Sequence, residues 1–550
     1  MADYLPPRES WPTRIYTLPE FATYPERFNP TEELLDKAVA AGRGDRVALL
    51  FEDQRITYAQ LLGQANKLGN ALRGLGVAEG ERVLLRAPTI PPAITTNFAV
   101  LKLGGVLTPI SPLFSRTEIA HVANDAEAVA IVVHFALLAE VEAARENFKT
   151  IRNIIVIGGD AAELKSKGYL LYGELLQSGG PTLDPVRRRR EDLGVLLYTS
   201  GTTGRPKGTA HLVEETLIVP DTFGKYGWKV TEDDIIGGSA PLAFGAGYST
   251  FTTIPMRFGA AASLIPKFEP EKMFETIQKH RVTVLSLAPT AYRKMLQVPD
   301  AEKKYDLKSL RVCTGGGESL TAPTYHAWKE KFGQEIFEGL GTTEMMYVFV
   351  SNVVNRRVKP GSFGTPVPGF EVKVVNEAGK DSAPKEIGHF LVRGPTGTIY
   401  WRDPAKQRQG VTHDGWNRAG DYVYFDEDGY FWFVSREDDI IKSSAYRIGP
   451  EEVEVTLAKH PAVAEVGVIG VPDEVRGQIA KAYVVLLPGK SVTSDELIEY
   501  CRGKIATYKL PREVVFVNDL PRTPTGKLLR RVLRQKEVES PQPARPASSS

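Results

Sequence analysis

The apolar positions of the chain follow two alternating periods. From about Thr57 to Val132, a helical stripe gives way to short apolar runs of the β type. The stripe consists of Leu61, Leu62, Ala65, Leu68 and Leu72. The β-type runs are Arg82-Val83-Leu84-Leu85 and Val129-Ala130-Ile131-Val132-Val133. Helical stripes that alternate with short buried strands predict βα units on a largely parallel sheet.

The alternation continues along the chain and then changes. Further β-type runs lie at 154–157, 195–198 and 282–285. From Gly364 to Trp432 the pattern consists of short strands rich in Gly, Asp and aromatic residues, which predicts a smaller β-rich subdomain. A charged run, 436–439, follows this region. Beyond it, strands near 465–470 and 482–487 indicate a compact α+β stretch.

These patterns predict an α/β protein with two main parts. We expect a large N-terminal body of βα layers, which includes the β-rich subdomain, at residues 1–435. A hinge at 436–439 then leads to a small mobile α+β lid at 440–535. The tail, 536–550, is expected to be disordered, because its last residues carry no core-forming side chains. A chain of 550 residues exceeds one ordinary core and can hold a deep cleft between domains.

The charge balance narrows the classes of partner. Lys and Arg number 68 against 67 Asp and Glu, so no net field attracts nucleic acid or an anionic membrane. The four-arginine run 187–190 is followed at once by Glu191 and Asp192, which favours a solvated linker over a nucleic-acid site. The most apolar stretch, 128–141, is short and interrupted by polar residues, so no membrane span is expected.

Cysteine and histidine content points away from disulfides and resident metal clusters. The two cysteines, Cys313 and Cys501, lie far apart in the sequence, which fits a reducing compartment. The N-terminus lacks the basic start and apolar stretch of a signal peptide, and we therefore expect a cytoplasmic protein. The eight histidines show no metal-ligand spacing.

The strongest chemical signal is a segment rich in glycine and hydroxyl groups directly after the run 195–198. Hydroxyls, glycine amides and one lysine are the groups that wrap a polyphosphate, because glycine lets main-chain N–H groups approach phosphate oxygens closely. The segment does not match the Walker pattern. The predicted phosphate contacts are Thr199, Ser200, Gly201, Thr202, Thr203, Gly204 and Lys207. His211, shortly after it, is interpreted either as a phosphate contact or as a structural residue.

This segment resembles the phosphate loop of the adenylate-forming superfamily, which contains acyl-CoA synthetases, luciferases and peptide-synthetase adenylation domains. A second segment resembles that family's core motif and implies further ATP contacts at Gly339, Gly341, Thr342 and Thr343. Its last residue, Glu344, is implied to hold Mg²⁺ beside the phosphates together with Thr202. Gly315, Gly316 and Gly317 resemble the family's loop on the adenine side of the nucleotide.

Two further segments resemble the family's motifs for the sugar and for the reacting groups. Asp421 and Arg436 resemble its ribose contacts, and Ser435 stands where the family usually has Gly. Lys527 resembles the lysine that contacts the α-phosphate and the attacking carboxylate. A cation is useful there because negative charge builds up on both groups during the reaction.

The resemblance also implies a second substrate and an alternation of domain positions. Asp438 aligns with the family's hinge residue. The segment implied to admit coenzyme A contains Ser444, Ala445, Tyr446 and Arg447. Ala445 stands where acyl-CoA synthetases usually have Gly. Arg476 resembles a contact to a phosphate of CoA.

The resemblance extends from about Thr57 to Arg530 and implies an ATP-dependent acid–CoA ligase. In such an enzyme a small-molecule carboxylic acid attacks ATP to give acyl-AMP and pyrophosphate, and CoA then releases acyl-CoA and AMP. ATP, Mg²⁺ and CoA are the implied cofactors and co-substrates, and we expect a monomer or homodimer.

Two other functions stay open. The first is adenylation for a carrier protein, which is disfavoured because the segment 241–247 has no Asp to pair an α-ammonium group and no carrier-like segment follows Lys527. The second is a catalytically inactive nucleotide- or carboxylate-binding relative, which is disfavoured because the motif residues are all present.

The implied substrate pocket contains Phe244 and Gly339. Many family members have an aromatic residue followed by His where this chain has Ala243-Phe244, and Phe244 there resembles ligases for benzoate-type acids. We therefore predict an aromatic, benzoate-type acid or a small branched acid, with medium-chain acids still open.

Overall fold

The computed structural model describes residues 4–200, 206–444, 446–473, 475–522 and 528–539, without the side chains of Ser200, Arg447, Val538 and Glu539. It divides into two compact units. The first comprises Met1–Val372 and Val392–Asn417, and the second comprises Lys373–Leu391 and Arg418–Ser550. Of the predicted tail 536–550, residues 536–539 belong to the helix Arg530–Glu539, which continues beyond the predicted boundary, and residues 540–550 lie outside the described residues.

Two large sheets form the framework of the first unit within the described residues. The strands of the seven-stranded sheet are, in spatial order, Pro206–Leu212, Leu193–Ser200, Val106–Pro109, Arg82–Arg86, Ala128–His134, Asn153–Ile157 and Leu170–Leu171. Those of the nine-stranded sheet are Thr365–Pro366, Val348–Ser351, Ile336–Gly341, Val312–Gly316, Val284–Leu287, Ile235–Gly238, Ala261–Leu264, Val47–Phe51 and Gln54–Thr57. The pairs from Leu193–Ser200 to Leu170–Leu171 in the first sheet and from Ile336–Gly341 to Val47–Phe51 in the second are parallel, as expected of βα units, and the pairs outside these ranges are antiparallel.

Helices cover the faces of these sheets. In the first unit the α-helices are Tyr58–Gly74, Pro91–Lys102, Arg116–Asp125, Leu138–Ala144, Ala161–Ser166, Tyr172–Ser178, Glu215–Val219, Gly245–Tyr248, Ile254–Phe258, Pro270–His280, Pro289–Leu296, Ala301–Lys304, Ala322–Phe332 and Pro404–Gly410. Wider helical turns occupy Glu32–Asp36, Val39–Arg43, Pro220–Trp228 and Ser249–Thr253. None of the helices formed by the described residues is long and apolar enough to cross a membrane.

The predicted helical stripe lies in Tyr58–Gly74, where Leu61, Leu68 and Leu72 are buried. Thr57 caps this helix through a reciprocal pair of hydrogen bonds with Gln60, which satisfies two N–H groups at the helix start. Local chemistry and periodicity therefore agree at this helix.

One predicted strand is displaced by two residues. The apolar run 282–285 was predicted as a strand, and the observed strand is Val284–Leu287. Val282 instead closes the end of the preceding helix by donating its N–H to the Ile277 carbonyl at 3.1 Å. The Thr283 hydroxyl donates to Asp234 at 2.6 Å, so a tertiary contact fixes the turn.

The second unit contains two smaller sheets within the described residues. The first has the strands Glu371–Val375, Gly388–Arg393, Asn417–Phe425 and Phe431–Arg436. The second has Tyr446–Ile448, Ile441–Ser443, Gly477–Leu486 and Val463–Asp473, with Glu513–Phe516 beside Gly477–Leu486. The helices of this unit are Pro450–Leu457, Ser494–Cys501 and Arg530–Glu539. The four-stranded sheet therefore groups mainly with the C-terminal residues.

Candidate active site

The ends of the predicted phosphate loop lie opposite each other on two antiparallel strands of the first unit. Thr199 pairs with Lys207 across this ladder, and both side chains are partly exposed. Residues 201–205, which include the predicted contacts Gly201, Thr202, Thr203 and Gly204, lie outside the described residues. A Cβ atom at Gly208 would lie 2.9 Å from Cβ of Trp401, so glycine is required where the two chain segments meet.

The predicted glycines of the adenine side and of the core motif meet at the carboxyl ends of two neighbouring parallel strands. Gly316 is the register partner of Gly339. A Cβ atom at Gly341 would lie 2.3 Å from the carbonyl oxygen of Tyr347, closer than any side chain tolerates. Carboxyl ends of parallel strands are where open α/β sheets bind ligands, so the predicted contacts lie at the edge of the sheet where a ligand is expected.

Glu344 is connected to the phosphate-loop strand through Tyr400. The Tyr400 hydroxyl donates to Oε1 of the partly buried Glu344 at 2.9 Å. The backbone of Tyr400 forms a bridge with Thr209, and the neighbouring Trp401 N–H donates to the Gly208 carbonyl at 2.9 Å. The strand that carries Lys207 therefore also positions the carboxylate of Glu344.

The environment of Glu344 fits a divalent cation carried by the nucleotide. Among the described residues, no cationic side chain forms an ion pair with this carboxylate, and Mg²⁺ prefers hard oxygen ligands of this kind. Within the same residues, no group of three or more His, Cys, Asp or Glu side chains could hold a metal ion by itself.

Removal of the Tyr400 hydroxyl tests this positioning. We expect Tyr400→Phe to lower kcat/KM for MgATP about tenfold, because a hydrogen bond to a charged group is worth about 1.5 kcal/mol. The measurement is ATP–pyrophosphate exchange at varied MgATP. Tyr325→Phe is the matched control, since Tyr325 donates to the carboxylate of Glu335 at 2.8 Å elsewhere in the unit. Equal values for the two variants would exclude a specific role for Tyr400.

The predicted substrate residues Phe244 and Gly339 flank one segment of the first unit. Phe244 is partly exposed, and a Cβ atom at the following Gly245 would lie 2.0 Å from the carbonyl oxygen of Met346. A Cβ atom at Gly339 would lie 2.8 Å from Cγ1 of Val348. The structure therefore brings both residues next to the segment that follows Glu344.

The predicted ribose contacts form a cross-strand pair in the second unit. Asp421 lies opposite Arg436, and Nη1 of Arg436 donates to Oδ1 of Asp421 at 2.8 Å. The Asp421 side chain is buried, whereas 54% of the Arg436 side chain is exposed. Ser435, which replaces the family's usual Gly, is buried and donates to the Arg436 carbonyl at 3.0 Å. A buried carboxylate held beside an accessible guanidinium can accept hydrogen bonds from vicinal hydroxyls.

The predicted CoA segment is partly described. The N–H of Ser444 donates to the Arg476 carbonyl at 2.7 Å, so these two predicted residues are adjacent. Tyr446 is 49% exposed and stacks on Tyr508 with ring centroids 4.1 Å apart. Ala445 and the side chain of Arg447 lie outside the described residues.

The structure describes the predicted hinge residue, Asp438, but not the predicted lid lysine, Lys527. Asp438 is exposed in a turn closed by the N–H of Asp439, which donates to the Arg436 carbonyl at 3.0 Å. Lys527 lies outside the described residues. On either side of it, Arg522 pairs with Leu528, so the ends of its segment lie together.

Other features noted in the sequence have structural partners. His211 is fully buried, and its Nδ1 lies 2.7 Å from the carboxylate of Glu215. Three arginines of the run 187–190 are ion-paired: Arg187 with Glu32, Arg188 with Glu79 and Asp192, and Arg190 with Glu214. Tyr400 is a site residue that the sequence interpretation missed, and no local motif marks it.

Two family models match the chain. The model described as AMP-binding enzyme matches residues 36–401, and the model described as AMP-binding enzyme C-terminal domain matches residues 452–527. Together they cover the predicted phosphate loop, adenine-side loop and core motif, and also Arg476 and Lys527, whereas the predicted ribose, hinge and CoA segments at 421–447 lie between the two matches.

Known proteins resemble the chain over nearly its whole length. Acetyl-coenzyme A synthetase of Bacillus subtilis is 33% identical over 94% of this chain and 91% of its own length. Benzoate–CoA ligase of Thauera aromatica is 32% identical over 93% of this chain and 96% of its own. Among solved structures, the anthranilate CoA ligase AuaEII in complex with anthranoyl-AMP has a TM-score of 0.87 and 34% identity, covering 94% of this chain and 99% of that one.

Proposed function

The chain belongs to the AMP-binding enzyme family, and we propose that it is an ATP-dependent acid–CoA ligase that forms an acyl adenylate and then an acyl thioester. The family resemblance and the α/β fold class predicted from the sequence are confirmed. The observation that best supports the activity is the linkage of Glu344, through Tyr400, to the strand that carries Lys207.

In the first half-reaction the substrate carboxylate attacks the α-phosphate of ATP, and pyrophosphate leaves. The proposed role of Lys207 and of the hydroxyls and amides of residues 199–204 is to bind the departing phosphates. Bound Mg²⁺ supplies charge neutralisation at the phosphates, and Glu344 with Thr202 would hold it. Lys527 stabilises charge on the α-phosphate and the carboxylate. Asp421 and Arg436 hold the ribose, so catalysis consists of positioning and electrostatics.

In the second half-reaction the thiol of CoA attacks the acyl carbon, and AMP leaves. The residues proposed to admit and bind CoA are Ser444, Ala445, Tyr446, Arg447 and Arg476. A rotation at Asp438 would withdraw Lys527 and bring this segment into use, so one cleft could run two reactions in sequence. The domain limits 1–435 and 440–535 with a hinge at 436–439 belong to this proposal.

The acid is proposed to be aromatic and benzoate-type, or small and branched. Phe244, next to the segment after Glu344, supports an aromatic acid, as do a benzoate–CoA ligase and an anthranilate CoA ligase among the similar proteins. The similarity to an acetyl-coenzyme A synthetase supports a small acid as the alternative substrate. We further propose a cytoplasmic location, based on cysteine content, and a monomeric or homodimeric state.

The proposed activity is tested by incubating the protein with ATP, Mg²⁺, CoA and a panel of aryl, branched and straight-chain acids. We expect AMP, pyrophosphate and one thioester per turnover, with the highest kcat/KM among benzoate-type or small branched acids. AMP and pyrophosphate without thioester, and acyl transfer to an added carrier protein, would support the carrier-protein alternative. No nucleotide turnover with any acid would support an inactive relative.

Ala445 offers a test of the CoA assignment. If backbone at this position lines the CoA entrance, the Ala445 methyl narrows it, and Ala445→Gly should accelerate conversion of pre-formed acyl-AMP by CoA about twofold to fivefold. The measurement is a single turnover with rapid quenching. ATP–pyrophosphate exchange in the same variant is the control and should stay unchanged. A variant no faster than wild type would show that this methyl does not obstruct CoA.

A further inference from the structure

A largely buried histidine lies close to the proposed ribose contacts in the second unit. His389, on strand Gly388–Arg393, exposes 20% of its side chain. Its Nδ1 lies 2.6 Å from Oε1 of Glu437, and its Nε2 lies 3.6 Å from Oε2 of Glu377. The Tyr422 hydroxyl donates to Glu377 at 2.8 Å and lies 3.2 Å from Nε2 of His389. Each ring nitrogen therefore faces a carboxylate.

Glu437 connects this histidine to the ribose pair. It directly follows Arg436, and its N–H donates to the carbonyl of Gly420 at 3.0 Å. Gly420 in turn directly precedes Asp421, the cross-strand partner of Arg436. The main chain of Glu437 thus closes the end of the two-strand ladder that carries both ribose contacts, while its side chain is held by His389.

We propose that His389 is a positioning residue for the nucleotide: its protonated ring holds Glu437, and through it Arg436, in the arrangement that binds the ribose. Nucleotide affinity then falls when the ring loses its proton. The inference rests on the proposed function, because it takes Asp421 and Arg436 as the ribose contacts.

The protonation state matters because the ring has a carboxylate at each nitrogen. An imidazolium donates from both nitrogens, whereas a neutral ring keeps one N–H and turns a lone pair toward the other acceptor. With Nδ1–H donating to Glu437, the neutral ring presents a lone pair at Nε2, and the single proton of the Tyr422 hydroxyl can serve either this nitrogen or Glu377, not both. Deprotonation therefore removes an attraction and adds a repulsion inside a partly buried cluster.

The charges around His389 favour its protonated form. The hydrogen bond with Glu437 and the nearby Glu377 raise the pKa of His389, although burial opposes this. Burial disfavours the charged form of Glu437, but the hydrogen bond from His389, aided by Arg418 and Arg436, lowers the pKa of Glu437 below its usual value.

The direction of the pH dependence follows from these shifts. The pKa of His389 is raised in the folded protein. The contribution of the protonated ring to nucleotide binding is therefore complete below the ordinary histidine pKa of about 6.5. It is lost as the pH rises through the higher value in the folded protein. Nucleotide binding should therefore weaken as the pH rises through this raised pKa.

The test is equilibrium binding of adenosine, which carries the ribose but no titrating phosphate, measured by calorimetry from about pH 6 to about pH 9. We expect the Kd of the wild-type protein to rise about fivefold over this range, the effect of one weakened charge-assisted contact. His389→Gln keeps a hydrogen-bonding side chain but cannot titrate there, and its Kd should not vary with pH. His326→Gln, at an exposed position on helix Ala322–Phe332, is the matched control and should keep the wild-type profile.

A second variant makes the outcome decisive. Glu437→Gln removes the carboxylate at Nδ1, which lowers the pKa of His389, so the change in Kd should move to lower pH. A pH-independent Kd in the wild type, or an unchanged profile in His389→Gln, would overturn the inference. Failure of the proposed function would appear differently, as the absence of ATP–pyrophosphate exchange in the wild type at every pH.

Discussion

Lys527→Ala is expected to lower the rate of ATP–pyrophosphate exchange at least about 100-fold, with conversion of pre-formed acyl-AMP by CoA changed less than about threefold. Negative charge grows on the α-phosphate and the attacking carboxylate during adenylation, and loss of one preorganised electrostatic group commonly costs about 100-fold to 1000-fold. The second half-reaction does not use Lys527 for charge stabilisation if the lid has rotated and withdrawn this side chain. The ratio of the two half-reaction rates is therefore the informative quantity.

Lys490→Ala is a suitable control for this experiment. Lys490 is an exposed lysine of the second unit, and its removal should leave both half-reactions unchanged. Equal losses in both half-reactions of Lys527→Ala would indicate general damage to the lid. Undiminished exchange in that variant would contradict the assignment of Lys527 to the first half-reaction.

Glu344→Gln is expected to lower kcat/KM for ATP about 100-fold at limiting Mg²⁺, with partial recovery as the Mg²⁺ concentration rises. The neutral amide keeps the shape of the side chain and can still accept a hydrogen bond from Tyr400, but it cannot balance the charge of the ion. The loss should therefore depend on the concentration of free Mg²⁺.

The matched control is Glu330→Gln, at an exposed position on helix Ala322–Phe332. This variant should show the Mg²⁺ dependence of the wild-type protein. If Glu344→Gln and the wild type have the same kcat/KM at every Mg²⁺ concentration, Glu344 has no role in binding the ion. A loss that does not respond to Mg²⁺ would instead assign it to positioning alone.

Features set by local chemistry could be predicted from the sequence. The helix Tyr58–Gly74 combines a buried apolar stripe with a cap formed by neighbouring residues, so periodicity and turn chemistry coincide. The displaced strand at Val284–Leu287 shows the limit, because its start depends on the bond from Thr283 to Asp234, which is distant along the chain.

Within the site, too, residues that lie in local motifs could be predicted, whereas residues that depend on contacts distant along the chain could not. Asp421 and Arg436 could be predicted as ribose contacts because each lies in a recognisable motif, and the structure adds that they are cross-strand partners. Tyr400 could not be predicted, since it reaches Glu344 only through the pairing of its own segment with the strand after the phosphate loop. His389 meets Glu437 for a similar reason, as the two lie 48 positions apart and come together through the four-stranded sheet.

The proposed activity depends on an acyl-adenylate intermediate, and the fate of the carboxylate oxygens tests whether this intermediate forms. A benzoate-type acid labelled with oxygen-18 in its carboxylate is turned over with ATP, Mg²⁺ and CoA, and the phosphate-containing products are examined by mass spectrometry. Attack on the α-phosphate leaves one carboxylate oxygen on that phosphate. We therefore predict that AMP carries the label and that pyrophosphate does not. Label in inorganic phosphate or pyrophosphate, or thioester formation with unlabelled AMP, would contradict formation of an acyl adenylate.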